Sequence, residues 1–336
     1  MDLSISTFQG HKFLKYRLFQ ATLLLCSGLL LTIILSPAQG AVSLSWWELW
    51  QALLHQGNPT NQTIIWKLRL PRIIAALLVG SALGMSGALL QGMLRNGLAS
   101  PFLLGISAGA GLVAVAMVTL GFMHWVPLAA WVGAIVTTAI VYFLARTGGS
   151  VSVERLILGG VAVSSLFGAI QSVLLLLAED GRIQAALNWL IGSLNGRGWA
   201  EVTMAAPYIG VALLVGCLLA RAVNLLCLGD DLAVGLGVSL VRSRCLIGGV
   251  ATLLAAGAVS IGGLIGFVGL IVPHGVRLLV GTDYRAVLPL CAVAGAWVLT
   301  AADLLSRLGA IELPVGAVTA LLGSPVFVWL LTRHSQ

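Results

Sequence analysis

Charged residues are scarce in this sequence. Only 9% of its 336 residues are Asp, Glu, Lys or Arg, whereas 59% are hydrophobic and the mean hydropathy is +1.04. A soluble domain carries about 25% charged residues, so this chain has too few polar groups to cover a surface that faces water. We therefore expect lipid to be the solvent around most of the chain, which excludes a soluble globular protein.

Lysine is almost absent, and this excludes one large class of nucleotide-binding sites. The three lysines are Lys12, Lys15 and Lys67, and none of them follows a glycine. A Walker A loop needs the pattern GxxxxGK[ST], because its lysine reaches the bound phosphates, so the chain does not bind ATP in that way. The zinc-protease pattern HExxH is also absent. We therefore expect no enzyme activity and no catalytic residue.

Cysteines are few, and they lie apart from one another. The five cysteines stand singly, mostly in or beside apolar runs, and no CxxC spacing occurs. Neither a zinc site nor a disulfide framework is indicated. We expect these cysteines to be small buried apolar residues and the chain to bind no metal or cofactor.

The net charge of +7 does not indicate a nucleic-acid partner. A nucleic-acid-binding protein gathers its basic residues on one face, often beside aromatic side chains. Here the arginines lie singly at the ends of apolar runs, a pattern that membrane topology explains.

Apolar runs predict an all-α, polytopic membrane protein with about ten spans, because only helices pair all their backbone groups internally in lipid. Long unbroken runs argue against the alternating strands of a membrane barrel. The first run is longer than a signal-peptide core of about 7–15 residues, so we interpret it as a span. The predicted spans are at about 18–36, 73–90, 102–120, 128–144, 156–178, 204–220, 246–260, 264–280, 287–305 and 313–332.

Two segments between the runs are not predicted to cross the membrane. The segment 37–68 carries Trp46, Trp47 and Trp50, which suit a membrane–water boundary, and we interpret it as external. Residues 183–194 are too few to span a bilayer, and they predict a helix that lies at the boundary or enters the membrane part-way.

The distribution of Lys and Arg predicts the orientation. With the N-terminus in the cytosol, 12 of the 18 basic residues lie inside and 6 outside. Both termini and the segment 225–244, between spans 6 and 7, are then cytosolic. Arg69, Arg72 and Arg307 lie outside, either as membrane anchors or as a basic platform for an acidic partner.

A short polar stretch, residues 228–237, separates two strongly apolar halves of the chain. Asp230 or Asp231 can cap a short helix there, and Gly235 or Gly237 can end it. One interpretation is a surface helix that another protein grips; the other is an ordinary capped loop between two spans.

Few charges lie inside the predicted spans. Asp303 and Arg307 are four residues apart, so they can pair on one helix face, which favours a structural role over a proton relay. A secondary transporter needs ionisable residues near the bilayer midplane, and we find no candidate besides Asp303.

A Gly-rich run, Gly257–Gly269, permits close backbone packing or a broken helix. Pro273 follows it and predicts a kink. His274 can bond a backbone carbonyl, and Arg277 lies one turn later.

Several segments together resemble the permease subunits of ABC importers for iron–siderophore complexes and vitamin B12, the FecCD/BtuC-like family. Their order and number make the resemblance specific, and they extend over about residues 60–332. The matching segments are Arg69-Leu70-Pro71-Arg72, residues 78–83, residues 91–101, Leu228-Gly229-Asp230 with Ala233 and Leu236-Gly237, residues 266–274, residues 281–285, Ala302-Asp303, residues 312–316 and residues 323–327.

The resemblance implies one permease domain of ten helices over residues 1–336, in the inner membrane of a bacterium. It implies a second copy or a sister permease, two cytosolic ATPase subunits that bind ATP and magnesium, and an external binding protein. Helices at about 156–178 and 313–332 would line the path. The cargo would be an iron(III)–siderophore complex, with cobalamin or haem as alternatives. Gly97 and Tyr284 depart from the usual family pattern.

The resemblance also implies roles for single residues. The arginines Arg69, Arg72 and Arg307 would meet acidic residues of the binding protein. The ATPase-coupling residues would be Leu228, Gly229, Asp230, Asp231, Ala233, Leu236 and Gly237. The structural or gating residues would be Pro273, His274, Arg277, Asp303, Pro314 and Gly316.

Overall fold

The computed structural model describes residues 3–40, 42–147, 150–309 and 311–333. Helices make up most of this part of the chain. They are α1 (Leu3–Leu35), α2 (Trp46–Leu53), α3 (Pro59–Thr63), α4 (Leu70–Leu94), α5 (Ile106–Thr119), α6 (Val126–Ala145), α7 (Val153–Leu176), α8 (Asp180–Ile191), α9 (Trp199–Leu218), α10 (Ala220–Cys227), α11 (Asp230–Gly235), α12 (Leu240–Gly262), α13 (Val268–Val280), α14 (Tyr284–Ser306) and α15 (Val315–Arg333).

Shorter elements fill the connections. A π-helical turn, Ile64–Arg69, runs directly into α4, and 3-10 turns precede α5 and α6. Between α6 and α7 the two-residue strands Arg146–Thr147 and Ser150–Val151 pair in antiparallel fashion.

The predicted all-α membrane architecture is confirmed. Within the described ranges, seven helical segments are long and apolar enough to cross a membrane: Tyr16–Leu35, Pro59–Leu94, Met123–Ala145, Val153–Leu176, Trp199–Leu218, Leu240–Gly262 and Tyr284–Ser306. Three shorter apolar helices, Ile106–Thr119, Val268–Val280 and Val315–Trp329, occupy the other predicted positions. The short helix predicted at 183–194 is α8, which ends at Ile191.

Helix α4 lies at the centre of the bundle and is buried along almost its whole length. Small residues allow this, because backbones can approach closely only where side chains are absent. A Cβ atom on Gly80 would lie 2.3 Å from the carbonyl oxygen of Gly295, and one on Gly84 would lie 2.2 Å from that of Cys291. The crossing of α4 and α14 therefore depends on glycine.

The tightest approach along α4 is at Gly87, where an added Cβ would lie 1.8 Å from the carbonyl oxygen of Gly269. We expect Gly87→Ala to destabilise the protein by about 3 kcal/mol, because two backbones must separate. A matched control is Gly210→Ala on α9, where nothing lies within 4 Å of the added atom. Thermal melting in detergent checks this; equal melting temperatures for the two variants would contradict the predicted contact.

The Gly-rich run contains a helix break, as predicted. Helix α12 ends at Gly262 and α13 begins at Val268, and between them Gly263 (φ +70°) and Phe267 (φ +66°) adopt left-handed backbone conformations. The carbonyl of Gly262 accepts the N–H of Ser193 at 2.9 Å. The end of α8 thereby covers part of this non-helical backbone, as a polar segment inside a bundle requires.

The expectation that all five cysteines are buried is wrong. Cys291 is buried within α14, but Cys26, Cys227 and Cys245 are exposed in this single chain. In an apolar environment a cysteine can face lipid as readily as it faces a protein core, because it behaves as a small hydrophobic residue.

Candidate functional site

Two polar sites lie at opposite ends of α4. Arg72 is in the first turn of this helix, and Arg95 caps its last turn. The intervening residues place the two positions about 35 Å apart, which is close to the thickness of a bilayer core. We call the group around Arg72 the arginine cluster (Arg69, Arg72, Asp303, Arg307 and Glu312) and residues 228–237 the island.

Asp303 is the centre of the arginine cluster and is fully buried. Its Oδ1 atom accepts from Arg72 Nε at 2.9 Å and lies 2.8 Å from Arg72 Nη2. Its Oδ2 atom lies 3.1 Å from Arg307 Nη2, so the predicted pairing of Asp303 with Arg307 is confirmed. Arg72 Nη1 donates to Glu312, which lies nearer the surface.

Arg69 and Arg307 also bind the segment that follows α1. Arg69 donates to the carbonyls of Pro37 and Val42. Arg307 donates to the carbonyls of Ser36 and Gln39, each at 3.3 Å, and to the hydroxyl of Ser36. The arginines thus join the segment after α1 to α4 and α14.

Burial shows how little of this charge faces solvent. Arg69 is 6% exposed and Arg72 is 8% exposed, because both guanidinium groups are enclosed by their partners in the chain. The isolated side chain of a membrane anchor would instead extend its charged end into water. Docking of a partner on Arg69, Arg72 and Arg307 stays a prediction.

Two cavities adjoin the arginine cluster. One, of about 660 Å³, is lined by Arg69, Arg72, Arg307 and Glu312. The second, of about 640 Å³, lies beside α8 and the start of α15. Both are also lined by Arg197, to which the sequence analysis assigned no role. The sequence does show that Arg197 lies between two glycines, Gly196 and Gly198, which is typical of a loop.

The island contains a helix, but its cap differs from the prediction. Gly229 is the N-cap of α11, with φ +109°, and no side chain caps the helix. The carboxylate of Asp230 instead accepts from Arg244 Nη2 at 2.9 and 3.0 Å, and it lies 3.8 Å from Arg95 Nη2. A charged partner outcompetes free backbone N–H groups for this carboxylate.

The end of α11 agrees with the prediction. The helix finishes at Gly235, and Gly237 follows with φ +83°, a conformation that favours glycine. Ala233 is the buried contact of α11. The apolar side chains that remain more than half exposed are Leu228, Leu232, Val234 and Leu236. The island therefore offers an apolar surface at one end of the bundle.

The remaining predicted residues join helices. Arg277 Nη2 donates to Gln91 Oε1 at 2.7 Å, and Gln91 Nε2 donates to the carbonyls of Ala99 and Leu270. Arg277 therefore links α13 to the end of α4. Pro273 lies within α13 and His274 follows it; the kink, and a bond from His274 to a backbone carbonyl, stay predictions.

Pro314 and Gly316 lie at the start of α15. Gly316 donates its N–H to the carbonyl of Gly192 at 3.0 Å, and an added Cβ there would lie 1.9 Å from the carbonyl oxygen of Ile191. This contact fixes α15 against the end of α8. A gating role for either residue stays a prediction.

Asn224 is a structural residue that sequence reasoning missed. Its amide nitrogen donates to Asp283 Oδ1 at 2.7 Å, and its amide oxygen accepts the N–H of Tyr284 at 2.9 Å. The backbone N–H of Arg285 and the Asn224 amide hold the pKa of Asp283 below its ordinary value, because both stabilise the carboxylate. This bridge fixes α10, next to the island, to the start of α14.

Comparison with known proteins identifies a family. The model of the FecCD transport family matches residues 28–333. A cobalamin import system permease, BtuC of Halobacterium salinarum, is 44% identical over 284 residues, which cover 83% of this chain and 76% of the relative. A hemin transport permease, HmuU of Yersinia pestis, is 37% identical, with coverage of 94% and 97%.

The fold has a solved counterpart. An inward-facing structure of an ABC transporter assigned to the metal-chelate type superimposes with a TM-score of 0.84 at 32% sequence identity. The match covers 94% of this chain and 98% of that one.

Proposed function

Since this chain belongs to the FecCD transport family, whose members are membrane permeases of ABC importers, we propose that it imports a bulky metal chelate with ATP hydrolysed by separate subunits. The observation that carries the proposal is the placement of two different sites at opposite ends of one buried helix. The island, with its exposed apolar side chains, lies at one end of α4, and a basic cavity lies at the other.

The island is suited to bind a cytosolic ATPase and to transmit its movement to the spans. Its exposed leucines and valine can fill a hydrophobic cleft, while Asp230 anchors α11 to α12 through Arg244. A rigid connection of this kind would let movement of the ATPase tilt the spans between outward-open and inward-open states. The absence of a Walker A sequence fits a permease that is driven by another subunit.

The arginine cluster is suited to receive an external binding protein. The cavity lining contains more arginines than acidic residues, and complementary charge accelerates and orients docking. A second permease, either another copy or a sister chain, and a pair of ATPase subunits would complete the transporter. The orientation that places the island in the cytosol rests on the distribution of Arg and Lys.

We expect Arg69→Gln to weaken docking of the binding protein about 5-fold at low salt, because it removes a charge from the cavity. Arg69 is the best test position, since its partners are neutral carbonyls that glutamine can also bond. The matched control is Lys67→Gln, an exposed charge two residues earlier. Surface plasmon resonance on nanodiscs measures both variants; an unchanged affinity for Arg69→Gln would remove Arg69 from the docking surface.

The proposed chemical class of the cargo is a metal chelate, and three members of this class can be compared directly. A ferric siderophore was the expectation from the sequence. The 44% identity to a relative named for cobalamin favours a corrinoid instead. Uptake of cobalamin, hemin and a ferric siderophore into proteoliposomes, each with excess binding protein, decides between them. We expect cobalamin to be carried fastest.

A further inference from the structure

The predicted docking arginines have few donors to offer to a partner. Arg72 and Arg307 bind Asp303, and Arg69 binds the carbonyls of Pro37 and Val42. The cavity therefore stays positively charged, but the guanidinium groups of these three arginines already bind acceptors within the chain. If an acidic side chain docks here, as the proposed function requires, it needs an arginine without an acceptor of its own.

Arg197 meets this requirement. It lies in the loop between α8 and α9, between Gly196, with φ +72°, and Gly198. Its Nε atom is buried and has no hydrogen-bond acceptor among the residues that the structure describes. Within the same residues, no carboxylate oxygen lies within 4 Å of its guanidinium group, in contrast to Arg72 and Arg307.

The acid that acts on Arg197 electrostatically is held in another role. Glu201 Oε2 accepts the N–H of Gly198 at 3.0 Å and thereby caps the start of α9. Burial lowers the pKa of Arg197, and the nearby charge of Glu201 opposes this shift only in part. A desolvated cation without a bonded counter-ion is unstable, so an incoming anion would be stabilised at this position.

Arg197 also lies between the two cavities that adjoin the arginine cluster. It lines both cavities at this end of the bundle, together with Asn195, Gly196 and Glu312. It therefore borders two concave surfaces that an acidic loop of another protein could enter. The cavity beside it adds the positive field of Arg69, Arg72 and Arg307.

We propose that Arg197 is a further docking residue, which receives an aspartate or glutamate side chain of the external binding protein. The occupied arginines of the cluster then supply long-range attraction and structural support, and Arg197 supplies the direct ion pair. This inference rests on the proposed function, since it assumes that an external binding protein docks at this face.

The test compares two variants in the intact permease–ATPase complex, reconstituted in nanodiscs with its cognate binding protein. The first is Arg197→Gln. The matched control is Arg182→Gln on the adjacent α8, where the arginine is engaged by Glu179 at 3.3 Å and by the carbonyl of Thr119 at 2.6 Å. We expect Arg197→Gln to weaken docking about 10-fold at low salt, and we expect the control to change it little. At about 1 M salt the difference should nearly vanish.

A third variant, Arg197→Lys, separates charge from structure: we expect it to retain most of the docking affinity, with an unchanged melting temperature. Unchanged docking by Arg197→Gln, while Arg69→Gln weakens it, would overturn the inference and leave the proposed function standing. If Arg197→Gln instead alters the apparent KM for an anionic chelate but not the affinity for the binding protein, Arg197 contacts the cargo, and the inference is overturned. If the unmodified protein neither docks the binding protein nor imports a chelate, the proposed function itself is contradicted.

Discussion

Replacing Asp303 with asparagine is expected to lower the free energy of unfolding by about 3–5 kcal/mol. Asp303 is fully buried, and it is the shared counter-ion of Arg72 and Arg307. Without its charge, the enclosed guanidinium group of Arg307 loses its carboxylate partner, and that of Arg72 keeps only Glu312. Removing one member of a buried ion network is much more damaging than removing the whole network, because the remaining charges stay desolvated.

Thermal denaturation in detergent, followed by tryptophan fluorescence, measures this effect. The control is Asp180→Asn, an exposed acid in the first turn of α8, for which we expect almost no change. The double variant Asp303→Asn with Arg307→Gln should be destabilised by less than the sum of the single variants. Strict additivity, or a melting temperature for Asp303→Asn equal to that of the control, would show that Asp303 does not hold the cluster together.

Leu232→Glu is expected to reduce ATP-driven uptake by at least about 30-fold, the effect of losing about 2 kcal/mol at an interface hot spot. Leu232 is 61% exposed on α11, although the helix itself is fixed to α12 through Asp230. An exposed leucine can be changed without disturbing the fold. A charge placed in the cleft of a partner would, however, have to be desolvated.

Uptake and ATP hydrolysis should both be measured for this variant in proteoliposomes, with the melting temperature as the check on folding. A matched control is Leu98→Glu, another exposed leucine that lies outside the island, in the turn that follows α4. We expect that control to retain most of the activity. Normal coupled transport by Leu232→Glu would show that the ATPase does not grip the island.

The spans could be predicted from the sequence because lipid leaves the backbone few options. Every apolar run of sufficient length must be a helix, so the run at 73–90 predicted the core of α4, and the run at 287–305 predicted α14. The break after α12 was visible in the glycines of residues 257–269. Only local information was needed in these cases.

The partners of the charged residues could not be predicted, because they are distant in sequence. The pairing of Asp303 with Arg307 follows from helical spacing, but Arg72 lies 231 residues away from Asp303. The same limit explains the wrong cap of α11. A capping rule considers only the next few residues, whereas Arg244 reaches Asp230 from α12.

Arg197 shows a further limit of sequence reasoning. Arg197 and Arg182 each follow a glycine, and the residues beside Arg197 in sequence do not reveal which acceptors its guanidinium group can reach. The difference is in three dimensions: Arg182 has a carboxylate and a carbonyl within reach, while Glu201, the acid that acts on Arg197, is committed to capping α9.

We propose above all that this chain is the permease of an importer driven by a separate ATPase. Chelate uptake in a reconstituted system tests this most directly. Proteoliposomes should contain the permease and its ATPase, with the binding protein and cobalamin outside and ATP inside. We predict uptake that requires ATP hydrolysis and continues at the same rate when a protonophore is added. Uptake that persists without ATP and stops with the protonophore would contradict it.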